Sequence, residues 1–116
     1  MLSCESILMI DKNSIFNPIK SDMETLKRHI SIIQTLLREQ PVGIIRIAQV
    51  TKLPEHKIRY SLRLLEKQGL IIPSREGAIL TPEFVEQRES LAADARDMAT
   101  ELDSIYQTLK TTLQKR

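Results

Sequence analysis

The sequence predicts a mainly helical fold with a small β-hairpin and one long C-terminal helix. Three observations carry that expectation. Between Leu26 and Leu65 apolar residues recur three and four positions apart, the spacing of a helical face. Leu70-Ile71-Ile72 and Ala78-Ile79-Leu80 are short apolar runs separated by Arg75-Glu76-Gly77, which reads as two strands and a turn. From Leu91 to Leu109 the apolar positions step by 4, 3, 4, 3 and 4, a heptad seam.

Composition agrees. Hydrophobic residues make up 41% of the 116 and charged residues 28%, the balance of a globular chain. Aromatic residues are 3% with no Trp, so the core must be aliphatic. No apolar run reaches the roughly 18 residues that a membrane span needs, and the short patch Ile7 to Ile10 lacks the basic start of a signal peptide. Cys4 is the single cysteine, which rules out an internal disulfide and a cysteine-rich zinc cluster. These features point to a cytoplasmic protein. The formal net charge of +2 hides an asymmetry: residues 21–80 hold ten Lys/Arg against six acids, whereas residues 81–116 hold five against seven. The middle suits a polyanion and the tail does not.

Residues 1–20 lack periodicity and read as an arm or short strand, with Asn17-Pro18 marking a turn. Ser21 and Glu24 then form a capping box that opens the first helix. Leu26, Ile30, Ile33 and Leu37 make its core stripe, Ile32 and Leu36 form a second apolar line, and Pro41 ends it. A short second helix spans about Ile44 to Thr51, with Ile44, Ile47 and Ala48 inward. The third runs from Pro54 to Gln68, where Gly69 supplies a left-handed C-terminal position. After the hairpin, Thr81 caps and Pro82 opens a last helix that reaches almost to Arg116.

The third helix has two unlike sides. At 100° per residue, Ile58, Leu62 and Leu65 fall within about 60° of one another and face the core. His56, Tyr60, Arg63 and Lys67 fall opposite, flanked by Lys57 and Arg59. A solvated basic face is one account of this. Double-stranded DNA is the sharper one, because a major groove admits a helix, guanidinium groups pair with guanine edges, and Lys or Tyr reaches phosphate. The short preceding helix, small Ala48 between the two, and a hairpin tipped by Arg75 favour DNA.

The run IIRIAQVTKLPEHKIRYSLRLLEKQGLI followed by IPSREGAILTPEF resembles the winged helix-turn-helix domain of transcriptional regulators, most of all small archaeal predicted regulators. The likeness covers about residues 24–84. It implies a DNA-binding domain over residues 21–81, with the 54–68 helix in the major groove and the 71–80 hairpin as the wing. It further implies that Glu55, His56, Lys57, Arg59, Tyr60 and Arg63 lie at or near DNA, with Arg75 on the wing. Lys67 extends the same basic face. Lys52 departs from the family, which often has glycine in that turn. A left-handed lysine costs about 1 kcal/mol or more, which predicts a remodelled turn. Glu76 beside Arg75 weakens the wing's attraction for phosphate.

Residues 82–116 read as a dimerisation helix. Leu91, Ala95, Met98, Leu102, Ile105 and Leu109 form the seam, and Ala92, Ala99, Tyr106 and Leu113 broaden it. A helix of that length is about 50 Å long, more than a 60-residue domain covers. A return onto the first helix is one partner for this stripe. A homodimer is preferred, since two-fold dimers read paired half-sites.

Nothing in the sequence carries enzyme chemistry or a cofactor. There are three glycines and no phosphate-binding glycine loop. His29, His56 and Cys4 are too few and too scattered for a metal site, and Glu83/Glu86 and Asp94/Asp97 read as solvated helix surface. The expectation is a homodimeric, sequence-specific DNA-binding regulator with no identified effector ligand. An interaction subunit of a larger assembly and a sequence-neutral architectural protein are the alternatives.

Overall fold

A run of turns over residues 9–16 delivers the chain into its first helix, and the computed structural model describes residues 9–114. The order is α1 (Asn17–Glu39), α2 (Ile44–Thr51), α3 (Glu55–Lys67), β1 (Ile71–Ser74), β2 (Gly77–Leu80) and α4 (Pro82–Gln114). The fold is therefore mainly helical with a two-stranded antiparallel hairpin and a long last helix. The chain divides into two units after Pro82. Expectations for Cys4 and the first part of the arm lie outside the described residues.

Helix α1 begins at Asn17, one turn before the capping box. Pro18 starts the helix rather than preceding it, because its missing N–H is harmless in a first turn. The Ser14 hydroxyl accepts the Phe16 amide at 3.0 Å, and the Ser14 carbonyl accepts the Asn17 amide at 3.1 Å. Ser21 thus sits inside the helix, its carbonyl accepting the Thr25 hydroxyl.

The core uses the second apolar line of α1 more than the first. Ile32, Ile33 and Leu36 are buried with Thr35, whereas Leu26 and Leu37 lie exposed. Both lines have helical spacing, so periodicity alone does not choose between them. The choice is made by α2, α3 and β2, which pack on one side of α1. Against that side come Ile47 from α2 and Ile58, Leu62 and Leu65 from α3, while Val42, Leu70 and Ile71 complete the core. Ile44 and Ala48 are half-buried.

The turn between α2 and α3 is not remodelled. Lys52 adopts the left-handed conformation itself (φ 60°, ψ 32°), and its amide bonds the Ala48 carbonyl at 2.8 Å. The geometry ends α2 in one residue, as glycine would. Lys52→Gly is expected to raise stability by up to about 1 kcal/mol, relief of the left-handed penalty being partly offset by a more flexible unfolded chain. Urea unfolding checks this, and an unchanged or lower midpoint contradicts it.

The hairpin is longer than its apolar runs, pairing Ile71 with Leu80 through Ser74 with Gly77 around a two-residue Arg75-Glu76 turn. A third segment joins it. Val42 and Ala78 exchange backbone hydrogen bonds of 3.2 and 2.9 Å, so the link between α1 and α2 borders β2. Gly77 makes that approach possible: at φ 136° an added Cβ would lie 2.4 Å from the Val42 carbonyl carbon. The Gln40 side chain accepts the Leu80 amide at 2.7 Å, and the Thr81 hydroxyl donates to the Gly69 carbonyl at 2.6 Å. These bonds fasten the open end of the hairpin to the residues that follow α1 and α3.

Helix α4 is continuous over 33 residues, and Phe84 is its buried residue among those described. Its heptad positions are open: Leu91, Leu102, Ile105 and Leu109 keep 36–43% of their surface, and Met98 keeps 69%. No described helix is long and apolar enough to cross a membrane.

Candidate nucleic-acid interface

Helix α3 is fixed by its buried side. Ile58, Leu62 and Leu65 anchor it, and Ser61, fully buried, sits among them as the polar residue the apolar pattern concealed. With that side inward, His56, Lys57, Arg59, Tyr60, Arg63 and Lys67 are exposed, as their helical angles predict, and Glu55 is exposed with them. Arg75 is exposed at the hairpin turn.

These residues form two neighbouring groups rather than one cluster. Arg59, Arg63 and Arg75 line a groove of about 440 Å³ between α3 and the hairpin, with Val42, Gly43 and Ala78 along it. Glu66 and Glu76 line the same groove, so it is a mixed surface with a cationic majority. Arg59 also approaches Glu55 at 3.9 Å, a loose pair one helical turn apart that leaves the Arg59 side chain 56% exposed. Such an exposed pair contributes under about 1 kcal/mol. His56, Lys57, Tyr60 and Lys67 lie outside the groove lining.

The structure adds Arg28, which sequence reasoning missed. From α1 its Nε donates to the Ser61 hydroxyl at 2.7 Å, which satisfies a buried oxygen. Its guanidinium carbon also lies 5.9 Å from the Tyr60 ring centroid, within cation–π range. Tyr60 therefore has an intramolecular partner for its ring, which lowers the need for an external one. About half of Tyr60 still faces solvent. No local signal could have revealed Arg28, since its partners lie more than thirty residues away.

Beside Arg28, His29 is held below the usual imidazole range, first by burial and then by the Arg28 charge. Its Nδ1 is buried with no hydrogen-bond partner among the described residues. Because the fold favours the neutral ring, the unfolded chain binds the proton more tightly. Stability is then complete above the unfolded pKa of about 6.5 and falls as pH drops towards the lower folded value. Urea midpoints of the wild type should fall more between pH about 7.5 and 5.5 than those of His29→Leu. Parallel pH profiles would contradict the assignment.

Elsewhere Arg46 and Glu39 form a close exposed pair, with Nε to Oε1 at 2.7 Å, which lowers the Glu39 pKa. Among the described residues no three His, Cys, Asp or Glu side chains are grouped to hold a metal ion.

No family model matches the sequence, and a search of curated proteins finds no match.

Proposed function

We propose that this chain is a winged helix-turn-helix protein that binds double-stranded DNA as a homodimeric transcriptional regulator, with no catalytic step. One observation carries the reading. The exposed side of α3 offers Lys57, Arg59, Arg63 and Lys67 while its other side is locked into the core, and α2 precedes it across the three-residue link Lys52-Leu53-Pro54.

The dimensions suit that task. A helix of 13 residues is about 20 Å long and 10–12 Å wide, which matches a major groove about 12 Å across. In this reading Arg59 and Arg63 reach base edges, and Lys57, Tyr60 and Lys67 reach phosphates, with Glu55 and His56 at the leading end of the helix. Arg75 at the hairpin turn serves a flanking phosphate. Arg28 holds Tyr60 in place. The exposed seam of α4, including Leu91, Ala95, Met98, Leu102, Ile105, Tyr106 and Leu109, pairs with a second copy.

Selection from a pool of random duplexes by the purified chain tests the proposal. Enrichment of one inverted-repeat sequence supports it. Binding without sequence preference supports the architectural alternative, and no binding at low salt supports a protein-interaction subunit.

A further inference from the structure

We propose that α4 pairs with α4 of a second copy in antiparallel orientation, in a register centred near residue 100. The inference rests on the homodimer reading above and adds the geometry of its interface.

The flanks of the seam carry the argument. With Leu91, Ala95, Met98, Leu102, Ile105 and Leu109 as the seam, the row on one flank is apolar: Ala92, Ala99 and Tyr106. The row on the other flank holds Asp94 and Glu101. In a parallel pair the two unlike flanks meet across the interface. Asp94 would then lie against the partner's Ala99, and Glu101 against the partner's Tyr106, which covers apolar surface with carboxylates. In an antiparallel pair like flanks meet. The apolar rows close on each other, and the acidic rows stay together on the wet side.

Packing within the seam points the same way. A parallel pair sets Ala95 on the partner's Ala95 and leaves a thin layer between larger ones. The antiparallel register centred near residue 100 sets Ala95 on the partner's Ile105, Leu91 on the partner's Leu109, and Met98 on the partner's Leu102. Large meets small where it must. Sliding by one heptad would bring Arg88 or Thr112 into the seam layers, so this register alone keeps all six apolar residues together.

Charge along the helix also favours it. Residues 83–103 carry seven acids and two arginines, whereas Lys110 stands near the other end. A parallel pair aligns acid with acid along most of the contact. The antiparallel pair brings Lys110 to the level of the partner's Glu89. Glu101 lies near its own copy at the centre, on the wet flank where water and salt screen the repulsion.

Spin labels on the full chain test the proposal, with Cys4→Ser to remove the native thiol. Glu86→Cys and Thr100→Cys each place one label on the outer face of α4, where both residues are exposed. Position 100 is close to its copy in either orientation, within about 30 Å, and so reports that α4 pairs at all. Position 86 lies at least about 42 Å from its copy in the antiparallel register, 28 residues of rise apart, and within about 30 Å in a parallel pair. A short distance at position 100 with a long one at position 86 is the expected result. Short distances at both positions overturn the antiparallel orientation and leave the dimer standing. No short distance at position 100 overturns both the pairing and the use of α4 as the dimer interface.

Discussion

Replacing Arg59 and Arg63 together by alanine is expected to lower duplex DNA affinity by about 2–6 kcal/mol, a loss of tens of fold to about 10⁴-fold. Each arginine then loses one bidentate base contact. The fold should survive, because both side chains are exposed and the core side of α3 is made by Ile58, Ser61, Leu62 and Leu65. Arg59 should contribute the smaller share, since DNA binding must loosen its contact with Glu55. Fluorescence anisotropy with a labelled duplex measures the loss, and helicity with a urea midpoint confirms the fold. Unchanged affinity in a folded double variant would show that this face does not bind DNA.

How much of this was legible in the sequence depends on which residues are asked. The two sides of α3 follow from spacing alone, because a helix of known pitch permits one inward face. Element order and the α2 limits follow from where the periodicity breaks, and the exposure of the basic residues and Tyr60 on α3 follows from the same pitch. Three features were not. The start of α1 is hidden because Pro18 has two meanings, a breaker before a helix and a favoured residue in its first turn. Leu26 and Leu37 stand on a core-like stripe yet lie exposed, because α1 offers two apolar lines and tertiary contacts choose one. The link of Arg28 with Ser61 and Tyr60, like the pairing of Val42 with Ala78, joins segments far apart in sequence and leaves no local trace. Lys52 shows the reverse: the conformation the turn requires outweighs the residue's own preference.

The second large effect concerns α4. Leu102→Glu places a carboxylate in each half of a two-fold seam, and each unpaired charge costs on the order of 3 kcal/mol to desolvate. Two such costs raise the dimer dissociation constant by about 10⁴-fold, which should yield monomers at micromolar concentration. The unit ending at Pro82 has its own buried core and should stay folded. Sedimentation velocity of wild type and variant decides the matter. A wild type already monomeric at tens of micromolar removes the dimer from the account.

DNA binding by paired basic faces makes one measurement more direct than the rest, a salt titration of wild-type affinity for the selected duplex. Each α3 face with its hairpin offers about three or four phosphate contacts, so a dimer offers about six to eight. At roughly −0.9 per contact, log K against log salt should fall with a slope of about −5 to −7. The Leu102→Glu variant on the same duplex should show about half that slope. A steep wild-type slope that halves in the variant is the predicted result. Equal slopes in the two proteins, or no measurable duplex binding by wild type at low salt, would contradict the account.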